Sequence, residues 1–290
     1  MQDSVSSDKA NDSALGSLKQ KSWPIAFTYF LSFLENLAEL AYPWAIGIAI
    51  NGLIEGQQEL VLPLVAIWLG HIAVGAFRQA YDTRLFSRLN AKMAQLAVRD
   101  QRKSGAEVSE VSARVDMIEE LIEFLEEDMP VLMAVFVALI GSLIFLALYD
   151  IASGAVMLGL IVPILILNGM TGLRAYRNNV SLNSQWEKQV AAIADPRPRR
   201  WRVHFGRMAM WRIRLSDLDA ASWSSAQCLT LIAVIIVLYR AATAQEVIVG
   251  DVVAILAYAL RIEAGIDEIP STAQKVGRLI DIRRRVQAKI

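Results

Sequence analysis

Long apolar segments alternate with charged segments along the whole chain. A helix needs about 20 apolar residues to cross a hydrocarbon core of ~30 Å. Measured against that length, the sequence predicts six membrane-spanning helices, at about residues 23–54, 60–77, 129–149, 151–173, 220–239 and 247–269. Residues 1–22 are polar and contain no apolar core of a signal peptide, so we expect a disordered tail there.

The connections between the predicted spans differ sharply in length. Short turns join the first span to the second and the third to the fourth, whereas long segments follow the second and the fourth. Residues 87–98 contain no glycine or proline, and residues 115–127 are rich in helix formers. The spans are therefore predicted to continue as helices beyond the bilayer, joined by elbows near Gly105 and near Pro196 and Pro198.

Basic residues are concentrated on one side of the predicted membrane. Every Lys and Arg except Arg240 and Arg261 lies in the tail, in the two long connections or in the C-terminal segment. Such residues mark the cytoplasmic side of a membrane protein. We therefore expect a multi-pass protein of the bacterial inner (cytoplasmic) membrane, with both termini and both elbows in the cytoplasm.

The composition supports a membrane protein and excludes several other classes. Hydrophobic residues make up 55% of the chain, charged residues make up 20%, and the mean hydropathy is +0.39. The basic and acidic residues balance at 29 each, so we expect no nucleic-acid partner. The single cysteine, Cys228, excludes an intramolecular disulfide framework and a CxxC site, and we expect no metal centre.

Four short motifs are similar to segments of the transmembrane domain of ABC exporters. They are PWAIGIAINGLIEG (43–56), RLFSRL (84–89), EVSARVDMIEEL (110–121) and VGDVVAILAY (249–258). The resemblance covers about residues 23–290. It implies an all-α polytopic fold of six long transmembrane helices that extend into the cytoplasm, a homodimer and transport by alternating access.

The sequence also differs from a complete exporter half. It contains no GxxxxGK[ST] phosphate loop and no LSGGQ-like signature. Residues 196–219 differ from the usual segment that couples the exporter to its ATPase domain. We therefore expect a chain that is not an enzyme and holds no cofactor, with ATP acting only through a partner ATPase.

Ionisable residues inside predicted spans are the first candidate functional groups. Each costs roughly 2.5–3.5 kcal/mol to insert, so such groups face a cavity or a partner. The candidates for a substrate cavity or for proton coupling are Glu35, Glu39, Arg261, Glu263, Asp267 and Glu268. They favour either a cationic solute or proton exchange. The alternative is that Arg261 merely pairs with a neighbouring carboxylate and that Glu35 and Glu39 lie in an open vestibule. His71 is interpreted as a hydrogen-bonded core histidine in preference to a proton relay.

The elbows supply the second group of candidates. We expect Gly105, Arg202, His204, Arg207 and Trp211 to dock a cytoplasmic partner. The alternative is that the second elbow, which combines tryptophans with arginines, lies on anionic lipid headgroups.

Three functions remain open on the sequence alone. The first is the permease subunit of an ABC-type transporter that is powered by a separately encoded ATPase. The second is a proton-coupled transporter with the same fold, which uses Glu35, Glu39, Glu263, Asp267 and Glu268. The third is a regulatory membrane scaffold that does not transport. The substrate and the direction of transport do not follow from the residues.

Overall fold

Every regular element in the described part of the chain is helical. The computed structural model describes residues 21–103, 105, 107–244, 248–269, 271, 272 and 275–277. The helices are α1 (Ser22–Leu40), α2 (Tyr42–Glu55), α3 (Leu62–Lys103), α4 (Val108–Glu123), α5 (Met129–Tyr149), α6 (Ile151–Glu187), α7 (Gln189–Ala194), α8 (Pro198–Ala242) and α9 (Val249–Asp267). The predicted all-α fold class is confirmed. Most of the predicted tail, residues 1–20, lies outside the described residues.

Among the described residues, five helical stretches are long and apolar enough to cross a membrane. They are Ser22–Glu55, Gln58–Lys103, Val108–Tyr149, Ile151–Glu187 and Pro198–Ala242. The chain is therefore an integral multi-pass membrane protein. The sixth predicted span corresponds to α9, a 19-residue helix with four charged residues, and its crossing stays a prediction. The first residue of that predicted span, Val247, lies outside the described residues.

Prolines explain two irregularities in the spanning helices. The predicted first span is divided at Ala41 into α1 and α2, and Pro43 occupies the first turn of α2. Proline cannot donate a backbone hydrogen bond to the carbonyl four residues earlier. The carbonyl oxygen of Glu39 accepts from a backbone N–H at the end of α1 and also from Nη1 of Arg261 at 3.4 Å. Similarly, a π-helical turn at Phe124–Asp128 precedes Pro130 near the start of α5.

The chain divides into two compact units. Unit 1 comprises Met1–Tyr149 and Ala244–Ile290, and unit 2 comprises Asp150–Thr243. In unit 1, α9 packs against α2 and α5, α1 packs against α3 and α5, and α3 packs against α4. The part of α3 beyond its apolar segment packs against α4 around the buried side chains of Phe86, Leu89, Met93 and Ile122.

A close approach of backbones joins α2 to α9 inside unit 1. A Cβ atom on Gly250 would lie only 2.0 Å from the carbonyl oxygen of Gly47, and one on Gly47 would lie 2.7 Å from that of Gly250. The amide N–H of Gly250 donates to Oδ1 of Asn51 at 2.7 Å, and Nδ2 of Asn51 donates to Asp251 at 3.3 Å. Small residues and polar pairs of this kind hold helices together in lipid, where apolar burial gives little driving force.

Unit 2 is an antiparallel pair of long helices, α6 and α8. Arg240, near the end of α8, forms a bidentate pair with Asp150, which caps the start of α6. This pair and the Asp150 hydrogen bonds to Ser153 hold the pKa of the Asp150 carboxyl below its usual range. Further along the pair, the hydroxyls of Thr171 and Ser222 lie 3.1 Å apart.

The contact between α2 and α9 yields a prediction. We expect Gly250→Ala to lower the free energy of unfolding by about 1–3 kcal/mol, because the added methyl group meets backbone and Asn51 atoms that cannot move aside. Thermal unfolding of the purified protein in mild detergent measures the change. The control is Gly70→Ala on α3, where an added Cβ meets no atom within 4 Å. Equal stability of the two variants would contradict the close packing.

Candidate functional site

Glu35 is the centre of a charged cluster between α1 and α3. Its Oε2 accepts a hydrogen bond from Nε of Arg78, and Nη1 of Arg78 donates to Oδ2 of Asp82 at 2.9 Å. The side chains of Arg78 and Glu35 are only 24% and 22% exposed, and that of Asp82 is 6% exposed. One cation thus lies between two carboxylates at a depth where an unpaired charge is costly.

A histidine and a tyrosine extend this cluster along α3. Nε2 of His71 lies 3.8 Å from Oε1 of Glu35, and Nδ1 of His71 shares a hydrogen bond with the hydroxyl of Tyr42. Trp68 stacks on Tyr42 with ring centroids 5.1 Å apart. Glu35 therefore connects a guanidinium on one side with an imidazole and a phenol on the other.

These groups line a cavity of about 400 Å³ in unit 1. Its wall consists of Glu35, Tyr42, Trp68, His71, Ile72, Gly75 and Ala76. A Cβ atom on Gly75 would lie 2.9 Å from Oε1 of Glu35, so glycine leaves the space in which the carboxylate lies. The cavity combines a carboxylate, a titratable ring and two aromatic faces. It offers groups that bind a cation or exchange a proton.

The second predicted carboxylate on α1 has a different partner. Oε2 of Glu39 lies 3.0 Å from Nη2 of Arg261, and the hydroxyl of Tyr258 donates to the carbonyl oxygen of Leu40 at 3.1 Å. Arg261 thus binds α1 through both the side chain and the backbone carbonyl of Glu39. The pairing that the sequence left open is present, although Glu39 remains 44% exposed.

The remaining candidates on and after α9 lie near its end. Glu263 is half-buried, whereas Asp267 and Glu268 are exposed. Oε2 of Glu268 accepts from the hydroxyl of Ser271 at 2.6 Å, just beyond the end of the helix. The predicted roles of these three residues in a cavity or in proton coupling stay predictions.

Sequence reasoning missed Arg78 and Asp82 as members of the cluster. It ended the second span at Phe77 and assigned Arg78 to a long connection, whereas α3 is continuous from Leu62 to Lys103. The available signal was the spacing of four residues between Arg78 and Asp82, which places them on one helical face.

The candidates at the two elbows lie in different units. Gly105 lies in the turn between α3 and α4 with a positive φ of 72°, a conformation that favours glycine. The other four candidates, Arg202, His204, Arg207 and Trp211, lie on the first turns of α8 in unit 2. Arg202 and Arg207 are exposed, whereas His204 is buried.

A basic cavity of about 670 Å³ occurs at the second elbow. Its charged and polar wall includes Lys188, Arg197, Arg199, Arg200, His204 and Arg207. Asp195 pairs with Arg197 and Arg200 at 2.9 Å each, and these arginines hold the pKa of its carboxyl below the usual range. Nearby, Arg214 lies 5.0 Å over the ring of Trp211.

Helix α6, which leads to the second elbow, is longer than a membrane crossing requires. The 37 residues of α6 extend for about 55 Å, of which about 30 Å suffices to cross the hydrocarbon core. The helix is therefore roughly 25 Å longer than a crossing requires. The predicted docking of a partner, and the alternative of an elbow that lies on the membrane surface, both stay predictions.

The charged cluster yields the second prediction. We expect Arg78→Met to lower the free energy of unfolding by about 2 kcal/mol, because it leaves Glu35 and Asp82 as unpaired, largely buried carboxylates. Adding Glu35→Gln to this variant should restore part of the loss. Thermal unfolding in detergent measures both, with Arg99→Met on the exposed part of α3 as control. A loss no larger than that of the control contradicts the pairing.

The comparisons agree with the resemblance in the motifs. A family model described as "ABC transporter transmembrane region" matches residues 17–252. No individual curated protein matches the chain. The matched region includes Asn51 and Gly250, which meet in the structure, and it ends before Arg261. Because the match covers most of the sequence, the chain belongs to the ABC transporter transmembrane region family.

Proposed function

We propose that this chain is the permease subunit of an ABC-type transporter in which ATP is hydrolysed by a separately encoded ATPase. Membership of the family makes it a membrane transport subunit. The observation that carries the proposal further is the second elbow, where two long helices meet at a basic surface and α6 is roughly 25 Å longer than a crossing requires. A basic surface at the end of so long a helix is suited to a soluble partner.

The proposed docking surface consists of exposed residues on the first turns of α8. Arg202 and Arg207 are exposed, and Arg202 lies 5.4 Å over Trp201. Arginines and tryptophans are frequent in the energetically important parts of protein interfaces. Gly105 belongs to the other elbow, where its positive φ gives the sharp turn between α3 and α4. We propose that both elbows lie in the cytoplasm and transmit the ATPase stroke.

A homodimer in the bacterial inner membrane completes this proposal. The dimer is supported by the family, in which two such subunits enclose one pathway. The concentration of basic residues at one end of the chain's long helices supports the cytoplasmic location of the elbows. The transported solute follows from none of these features.

Proton coupling without an ATPase is a second candidate function with its own supporting observation. Glu35, His71 and Tyr42 form a chain of titratable groups along a cavity wall within the spanning helices. Carboxylates and histidines in such positions relay protons in many membrane transporters. Arg78 and Asp82 would then compensate the charge of Glu35 as it gains and loses a proton.

The docking proposal predicts the loss of a partner. We expect an ATPase subunit to copurify with the tagged protein from its own membranes in mild detergent. The double variant Arg202→Glu/Arg207→Glu should reduce its recovery at least tenfold, because a buried like-charge mismatch disrupts an interface. The control Arg174→Glu/Arg177→Glu reverses the same number of charges on α6 and should leave recovery unchanged. Recovery of the tagged wild-type protein without any ATPase subunit would contradict the proposal.

The proton-coupling candidate predicts a different result. Vesicles that contain the purified protein and a trapped pH dye should acidify or alkalinise when a pH gradient is imposed, and Glu35→Gln should abolish that flux. Glu59→Gln, at an exposed carboxylate in the turn before α3, is the matched control. Unchanged flux in Glu35→Gln removes this candidate. If neither flux nor an ATPase is found, the regulatory scaffold becomes the favoured function.

A further inference from the structure

A basic groove lies between the start of α1 and the middle of α3. Its volume is about 340 Å³, and it lies wholly within unit 1. The groove is lined by Lys21, Pro24, Tyr81, Arg84, Leu85, Arg88, Leu89 and Lys92. It is separate from the Glu35 cavity and from the basic cavity at the second elbow, since it shares no lining residue with either.

Every charged residue that lines the groove in the described part of the chain is cationic. Arg84, Arg88 and Lys92 follow one another at intervals of four residues, so they form a row along one face of α3. Lys21 approaches from the start of α1, and no carboxylate among the described residues contributes to the lining. One bond within the helix is visible at this row, where Nη1 of Arg84 donates to the carbonyl oxygen of Ala80 at 2.6 Å. Within the described residues, the guanidinium and ammonium groups of this row are therefore not neutralised by a carboxylate in the groove wall.

The floor of the groove is apolar and fixed by the protein core. Leu89 is only 4% exposed and belongs to the cluster with Phe86, Met93 and Ile122. Pro24 and Leu85 complete this floor. Tyr81 lies at one end, in edge-to-face contact with Phe27 and stacked with Phe77. Phe27 and Phe77 are themselves 40% and 56% exposed, so an apolar track continues from the groove along the outside of the helices.

The groove lies at the height of the lipid headgroups. Helix α3 begins at Leu62, and a crossing of about 20 residues ends near Asp82. Arg84, Arg88 and Lys92 come next along the helix and are exposed. On the neighbouring helix, Lys21 immediately precedes the first helical residue, Ser22. At 1.5 Å per residue, Arg84 and Arg88 lie within about 10 Å of the edge of the hydrocarbon, next to the phosphate groups, and Lys92 lies about 15 Å beyond that edge. Phe27 and Phe77 lie on the hydrocarbon side of these cations.

We propose that this groove binds one anionic diacyl phospholipid. Lys21, Arg84, Arg88 and Lys92 surround the phosphate, the glycerol backbone lies on Pro24, Leu85 and Leu89, and an acyl chain passes Tyr81 along Phe27 and Phe77. The cations select a net negative headgroup, and the apolar floor favours a lipid over a water-soluble phosphate, whose attraction to exposed cations is screened by salt. This assignment is independent of whether the chain is driven by ATP or by protons.

The selectivity of the wild-type protein tests the proposal first. The full chain is purified from nanodiscs that contain equal amounts of phosphatidylglycerol and phosphatidylcholine with identical acyl chains, and the lipids retained after detergent washing are counted by mass spectrometry. We expect about one retained phosphatidylglycerol per chain, enriched at least tenfold over phosphatidylcholine. Retention without a preference for phosphatidylglycerol overturns the proposal.

Two triple variants then locate the site. Arg84→Gln/Arg88→Gln/Lys92→Gln should lower the enrichment at least tenfold, since each surface cation contributes about a fivefold factor. Arg99→Gln/Arg102→Gln/Lys103→Gln removes three cations from the same helix outside the groove and should leave the enrichment unchanged. Equal losses in the two variants would show a general effect of surface charge and overturn the assignment.

A cross-linking measurement keeps the test valid if a variant folds poorly. Photoactivatable phosphatidylglycerol is irradiated with the wild-type protein, and the modified peptides are mapped. We expect adducts within residues 77–92 or 21–27, and adducts confined to other segments overturn the site. An excess of inorganic phosphate should leave the adducts in place. Their loss would identify a soluble anion as the occupant and overturn the lipid assignment.

Discussion

The cost of an uncompensated charge or backbone group in hydrocarbon determines most of this structure. A bilayer core offers no water to satisfy polar groups, so the chain must supply every partner from within. Arg78 lies between Glu35 and Asp82, and Arg261 binds the side chain and the backbone carbonyl of Glu39. In both cases a basic side chain on one helix is fixed to α1. The ionic contacts therefore hold helices together at the same positions where the sequence first suggested function.

The two units use this constraint in different ways. Unit 1 combines charge pairs with a close backbone contact, at which Gly47 meets Gly250 and Asn51 binds the start of α9. Unit 2 is a simpler antiparallel pair, fixed at one end by the Asp150 and Arg240 pair and at mid-length by the hydroxyls of Thr171 and Ser222. The first arrangement encloses a cavity with titratable groups. The second ends in a basic elbow.

Hydrophobic length alone predicted the helical fold and most of the membrane crossings. It succeeded because an apolar run of about 20 residues has few alternatives in a chain of this composition. It did not predict the division at Ala41, which depends on Pro43, nor the π-helical turn before Pro130. Arg78 escaped notice because a span was taken to end at the first charge, although the partner that makes this charge tolerable lies on α1.

The charged residues on α9 also show what a local sequence pattern cannot predict. The sequence placed Arg261 and Glu263 inside a span and proposed that Arg261 serves a cavity or pairs with a carboxylate. In the structure Arg261 pairs with Glu39. The two residues are 222 positions apart, so no local sequence pattern could have predicted that they meet. For the elbow, the local sequence indicated a basic surface. The continuous length of α6 became visible only in the structure.

The most direct test of the account is photo-cross-linking from the second elbow in intact cells. A photoreactive amino acid at position 202 is activated, and the covalent partner is identified by mass spectrometry and assayed for ATP hydrolysis. We expect an adduct with a soluble ATPase subunit. The adduct should disappear when the photoreactive group is moved to position 177 on α6. An adduct only with lipid, or only with a second copy of this chain, would contradict it.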